Sequence, residues 1–291
     1  MPSAALPDGT VEASLAEQLE RLATRVAVAA GRLVVDERPP NLSPSATKSS
    51  PTDVVTVMDT RSEDLIRSLI LAERPDDGVL GEEGADHVGR SGITWVVDPI
   101  DGTVNYLYDI PAYAVSVAAA TGDPRVPGKW QVVAGAVADP SQRQVFQARR
   151  GGGAWLQRWP ATSAYGADEG SVTRLTVGDA ASLAVALVGT GFGYTPERRR
   201  SQATLLLDVL PRVRDIRRIG SAALDLCAVA RGNLDGFYEV GLNAWDLAAG
   251  WLIVEEAGGL MTGPAGGAPS GVLAVAGNAA LVSELLEIID R

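Results

Sequence analysis

The stretch Trp95-Val96-Val97-Asp98-Pro99-Ile100-Asp101-Gly102-Thr103 decides how this chain is read. Ile93–Asp98 is an apolar, strand-like run that stops at an aspartate. Pro99 fixes its own φ and pushes Asp98 out of helical geometry. Asp101 follows three residues later. Gly102 permits a turn that other residues resist, and Thr103 stands where a short helix can begin. Two carboxylates at one strand end repel each other unless a cation lies between them. The amides of Gly102 and Thr103 suit an anion such as phosphate. One short turn thus offers a cation on one side and a phosphate on the other. Taken alone, the same string reads equally well as a turn with Asp101 capping a helix, because both dipeptides are common in turns.

Outward from this turn, the N-terminal part begins with two helices. Leu15, Leu19, Leu22, Val26, Ala29 and Leu33 recur at steps of three and four, and a second helix runs from Asp59 to Ala72 with Leu65, Ile66, Leu69 and Ile70 on its inner face. A Pro/Ser-rich loop, Pro39–Pro51, separates them and holds Lys48. Strand-like runs follow at Val79–Glu82, Ile93–Asp98, Ala114–Ala119, Gln131–Ala138 and Gln144–Ala148, with turn residues between them, which predicts an antiparallel sheet. Gln157–Ser171 reads as a surface insertion. Beyond about Leu175 strands alternate with helices, the pattern of an α/β unit. The expected division is 1–170 for an N-terminal α+β lobe and 171–291 for a smaller α/β lobe.

Two more acidic constellations stand apart from the first. Gly81-Glu82-Glu83-Gly84 follows a strand, and adjacent residues there point opposite ways, so one acid can face inward. By itself it reads more simply as a solvated acidic turn. In Ala244-Trp245-Asp246-Leu247-Ala248-Ala249, Asp246 opens a helix and reads as its cap, with a second oxygen left for a cation. Gly189–Tyr194 is a broken G-x-G pattern without a third glycine or a downstream acid, and it reads as a strand-to-helix turn.

Composition narrows the chemistry. The 291 residues carry 36 acids against 25 Lys and Arg, a formal net charge of −11, with one histidine and one cysteine. That charge repels nucleic acid and anionic membrane. An internal disulfide is excluded, as is a zinc site built mainly from Cys and His. Any Ser–His or Cys–His mechanism would run through His87, which lies in a polar loop, while Cys227 lies on the apolar stripe of a helix. Carboxylates are what remain, the ligands of hard cations. The N-terminus lacks a basic segment before an apolar run, and no apolar stretch approaches the ~18 residues of a membrane span, so the expected location is the cytosol.

The constellations together resemble the inositol monophosphatase family of magnesium-dependent, lithium-sensitive phosphatases. The matching strings are Lys48-Ser49-Ser50-Pro51 with Asp53–Thr56 and Asp59, Gly81-Glu82-Glu83, Asp98–Thr103, Gly220-Ser221-Ala222-Ala223, Tyr238-Glu239, Trp245–Ala249 and Glu256–Gly259. They run in order from about residue 48 to 259. The resemblance implies a layered αβαβα fold and two to three Mg²⁺ ions in each active site. It assigns Glu82, Asp98 and the Ile100 carbonyl to a first ion and Asp98, Asp101 and Asp246 to a second. Glu82 would also face a third, and Lys48 would lie on a flap over it. Gly102 and Thr103 would hold the phosphate, alongside Asp101. Asp59 would accept from the Thr103 hydroxyl, which orients the attacking water, and Glu82 would share in activating it. Ala222, Glu239 and Asp246 would contact hydroxyls of the substrate alcohol. Asn243-Ala244 stand where animal members usually carry His-Cys.

The expected substrate is a small phosphate monoester, myo-inositol 1-phosphate or a related polyol phosphate, and the expected assembly a homodimer. Two alternatives are fructose 1,6-bisphosphate or a 3′-phosphorylated adenine nucleotide as substrate. Another is a protein-binding role in the transcription machinery, which some bacterial relatives serve.

Overall fold

The computed structural model describes residues 11–48, 50, 52–159 and 171–290. Helix α1 (Ala13–Asp36) is followed by a small hairpin of β1 (Ala46–Thr47) and β2 (Val54–Val55), then by α2 (Val57–Glu73). Seven strands form the large sheet in chain order: β3 (Gly78–Gly81), β4 (Ile93–Asp101), β5 (Ala114–Gly122), β6 (Trp130–Asp139), β7 (Gln144–Arg149), β8 (Gly153–Arg158) and β9 (Val172–Arg174). The short helix α3 (Thr103–Leu107) leaves the end of β4. The remainder comprises β10 (Leu187–Thr190), α4 (Pro196–Val209), β11 (Asp215–Arg217), α5 (Ala222–Ala230), β12 (Gly236–Glu239), α6 (Ala244–Glu256), β13 (Leu260–Thr262), β14 (Ala274–Gly277) and α7 (Ala279–Ile289). Its five strands lie in the order β11-β10-β12-β14-β13.

These elements stack in five layers, the expected αβαβα arrangement. The first core lies between α1 and α2 and the large sheet, with Leu19, Val26, Ile66 and Trp95 in it. The second lies between that sheet, α5 and α6, and the small sheet, where Leu226, Leu247 and Phe237 meet. The third packs α7 and neighbouring segments on the far face of the small sheet. Helix α6 tolerates this buried middle layer because Ala248, Ala249 and Gly250 carry little side chain. Gly135 of β6 lies so close that a Cβ there would fall 3.1 Å from the Ala249 Cα.

Three sequence expectations change. The large sheet is not wholly antiparallel: β3 pairs parallel with β4, Gly78 opposite Thr94. The intervening segment turns back along β3, where His87 bridges Val79, and so returns the chain to the end at which β3 began. Helix α2 buries Asp59, Ser62, Glu63, Ile66 and Ile70, while Leu65 and Leu69 are only half-buried, so its inner face is rotated toward polar residues. The large sheet also runs past 170, since β9 pairs with β8. The expected insertion at 157–171 starts within β8, and its residues 160–170 lie outside the described ones. Among the described residues no helix is long and apolar enough to cross a membrane.

Candidate active site

The Asp98–Thr103 turn works because β4 carries a bulge. Asp98 faces Ser116 of β5 and Asp101 faces Ala114, so three steps on one strand match two on the other. Residues three apart in a regular strand point to opposite faces. The extra residue brings both aspartates to one face. Pro99 fits such an irregular position because it has no N–H to leave unpaired. Its carbonyl accepts from Ser62 Oγ at 3.0 Å, and the Ile100 amide donates to Asp98 Oδ1 at 3.1 Å. Gly102 then takes φ +94°, a left-handed conformation, and caps α3.

Asp246 and Asp59 are held at helix starts, and Asp101 is tied to a third. Asp246 is the third residue of α6 rather than its cap, and its Oδ2 accepts the Asn243 amide at 2.6 Å. Asp59 holds the same position in α2. Its Oδ2 accepts the Thr56 amide at 2.8 Å and hydroxyl at 2.6 Å, and its Oδ1 faces Thr103 Oγ1 at 2.9 Å. Both are capping boxes, in which a carboxylate reaches back to the residue before the helix. Asp101 Oδ2 accepts from Ser221 Oγ and the Ala223 amide, both at 2.7 Å, which ties it to the start of α5. Asp98, Asp101 and Asp246 each offer an oxygen within 4.8 Å of the others.

Glu82 lies beside this group but outside the 4.8 Å triad. Lys48 Nζ donates to its Oε1 at 2.7 Å and also to Glu83. The acidic turn that presents it is held from below by Glu63 of α2, whose two oxygens accept the Glu83 and Gly84 amides at 2.8 Å each. Gly81 and Gly84 leave that carboxylate its space: a Cβ on either would fall 2.5–2.6 Å from Glu63 Oε1.

A cavity of about 390 Å³ joins these groups, within the range of small-molecule pockets. Lys48, Glu82, Asp98, Ile100, Asp101, Gly102, Thr103, Ala222, Glu239 and Asp246 all line it. Asp59 stands behind Thr103, fully buried. Desolvation pushes every acid of the cluster upward; neighbouring acids add to it at Glu82, Asp98 and Asp246, while hydrogen bonds from Ser221 and the start of α5 oppose it at Asp101. Asp98 and Asp246 lie well above the usual carboxylate range, Asp101 above it, and Glu82 at about 7 despite Lys48. Glu239, half-buried, is raised to about 8 by desolvation and by Asp101. Lys48 is held above its ordinary value: burial opposes its charge, but Glu82 and Glu83 outweigh it. Acids crowded this closely, with Asp98 buried and the others half-buried, ionise together only around cations. The donors are all oxygen, the set that suits magnesium, calcium or manganese.

Three contributors were not legible as site residues. Ser221 stands in a matching family string with no role assigned to it, yet it caps α5 and donates to Asp101. Glu63 forms an i,i+4 pair with Arg67, which in sequence looks like a solvated helix face. Asp225, one turn into α5, lines the cavity as well. His87 is exposed and away from the cavity lining, and Cys227 is buried in the second core.

A model of the inositol monophosphatase family matches residues 15–290. Inositol-1-monophosphatase SuhB of Mycobacterium tuberculosis (H37Rv) is 49% identical over 252 residues, covering 84% of this chain and 80% of that one. Nus factor SuhB of Pasteurella multocida is 38% identical over 244 residues, covering 82% and 83%. Among solved structures, Mycobacterium tuberculosis SuhB superposes with a TM-score of 0.75 at 43% identity, covering 94% of this chain and 96% of that one.

Proposed function

The chain belongs to the inositol monophosphatase family, a family of metal-dependent phosphatases, and from that premise we propose that it hydrolyses myo-inositol 1-phosphate and related polyol monophosphates with Mg²⁺. The observation that carries the reading is the meeting of Asp98, Asp101 and Asp246 within 4.8 Å, in one cavity with Glu239. Two to three Mg²⁺ ions would be held by these aspartates, Glu82 and the Ile100 carbonyl. When bound, they neutralise the phosphate dianion, acidify water to a nucleophile near neutral pH and stabilise the leaving alkoxide.

The protein's own groups do the positioning. Gly102 and Thr103 amides receive phosphate oxygens. Thr103 has one hydroxyl proton and two acceptors for it, Asp59 Oδ1 at 2.9 Å and the Ile100 carbonyl at 3.0 Å. Donating that proton inward leaves the Thr103 oxygen free to accept from the attacking water and so orient it. Buried Asp59 cannot move, because its other oxygen is fixed by Thr56. Glu82, beside the metal-side aspartates in the same cavity, takes the proton that water releases. At the other end Ala222, Glu239 and Asp246 face the alcohol. A carboxylate there accepts from hydroxyls and repels a second phosphate.

Phosphate release from a panel of sugar, polyol and nucleotide phosphates tests this. Inositol 1-phosphate should lead, and a bisphosphate favoured a hundredfold would sink the reading. The same reading makes the working protein a twofold homodimer in the cytosol; a monomeric mass by light scattering would contradict the first, and fractionation outside the cytosol the second. The resemblance to a Nus factor at 38% identity favours a second, protein-binding role. An inactive Asp98→Asn protein that still captures transcription proteins from extract would establish it, and one that captures none would remove it.

A further inference from the structure

At the alcohol end, Asp225 and Glu239 lie under a glycine turn, and the catalytic reading leaves Asp225 unused. Asp225 projects from α5 and is 1% exposed, and its Oδ1 has no hydrogen-bond partner among the described residues. A buried, unpartnered carboxyl oxygen is costly, and native proteins rarely keep one without a reason. Its side chain forms part of the active-site cavity wall, together with Glu239 and Arg218. Burial, Glu239 and Asp101 all push its carboxyl toward the protonated form, against Arg218.

The Gly189-Thr190-Gly191 segment at the end of β10 makes room for this pair. A Cβ at Gly189 would fall 2.8 Å from Leu234 Cδ1 and 3.0 Å from Asp225 Oδ1, and one at Gly191 2.1 Å from Glu239 Oε2. The carboxyl torsion of aspartate is broad, so a turn about χ2 can carry an oxygen of Asp225 from the Gly189 side toward the cavity that the residue also lines. Helix α5 also anchors Asp101 through Ser221 and the Ala223 amide, which fixes Asp225 relative to the metal-side aspartates.

We propose that Asp225 is a specificity-determining residue: its carboxyl turns into the cavity beside Glu239 and takes a hydroxyl of the substrate alcohol. This rests on the polyol-phosphatase reading above. A site built to pair with a hydroxyl discriminates against substrates lacking it, because its own polar groups are then left unpaired.

The test compares inositol 1-phosphate with p-nitrophenyl phosphate, whose alcohol carries no further hydroxyl, in wild type, Asp225→Asn and Asp225→Leu. The ratio of their kcat/KM values should fall about tenfold in Asp225→Leu, through KM, with Asp225→Asn between it and wild type. The Tm of both variants, measured without ligand, should stay at or above wild type, because no native bond is lost. A ratio within about twofold of wild type in both variants, or a Tm several degrees lower in both, overturns the proposal. A wild-type protein with no preference for inositol 1-phosphate overturns the polyol reading and this inference with it, and is told apart by needing no variant.

Discussion

Asp98 is the acid most enclosed by others, with Glu82, Asp101 and Asp246 all raising its proton affinity beyond what burial does. Its replacement therefore separates chemistry from folding. Asp98→Asn is expected to lower turnover by at least about 10²-fold while leaving Tm equal or higher, since one buried negative charge is gone; full activity in that variant would refute the assignment. Glu82 and Glu239 give a pH signature to the metal-free protein. Both start from 4.5 when unfolded and rise to about 7 and about 8 when folded. Between those values the folded form holds protons the unfolded form has released, so stability falls as pH rises through the window. With a chelator present, Tm should drop by several degrees between about pH 5.5 and 8.5, and Mg²⁺ should restore more of it at the higher pH. A flat profile would mean that these carboxyls are not held as described. The acids were readable only as a set, through the family strings, because each string alone also makes an ordinary turn or helix cap. Asp225 was not, since an aspartate in the second turn of an apolar helix carries no local sign of being unpartnered.

Among the elements, α2 and β4 shape the site most. The bulge in β4 could be anticipated only as a turn, because its function depends on the register of β5, which no local pattern encodes. Helix α2 was located closely, at 57–73 against an expected 59–72, but its inner face was assigned from apolar residues alone. The polar residues Asp59, Ser62 and Glu63 are buried there because each supports the site: Asp59 holds Thr103, Ser62 holds the Pro99 carbonyl and Glu63 holds the acidic turn. Polar residues on a core-facing stripe break the binary pattern at functional positions. Glu63 presents Glu82 without touching substrate, so Glu63→Ala should raise the Mg²⁺ concentration for half-maximal activity about 10–100-fold. Glu63→Gln, which keeps one acceptor oxygen for the two amides, should recover part of it. Equal activation curves for all three proteins would remove Glu63 from the account.

At the level of the whole molecule, five layers bring into one cavity residues as far apart in the chain as Lys48 and Asp246. The large sheet supplies Asp98 and Asp101, the acidic turn Glu82, and the helices of the middle layer Asp246 and the anchors of Asp101. The alternation of strands and helices announced the small sheet, and the family strings implied the layering. The parallel edge strand and the extension of the large sheet through β9 depend on long-range pairing, and so were not visible in the chain. Asn105 ties α3 to the segment before α5, donating to the carbonyls of Ala112 and Ile219 at 2.8 and 2.9 Å. The claim beneath all of this is that the assembled acids bind divalent ions. Crystals soaked in Mn²⁺, an ion of similar ligand preference with an anomalous signal, test it most directly. Anomalous peaks in contact with Asp98, Asp101 and Asp246, with Lys48 released from Glu82, are the expected result; a map with no peak among these four acids would contradict it.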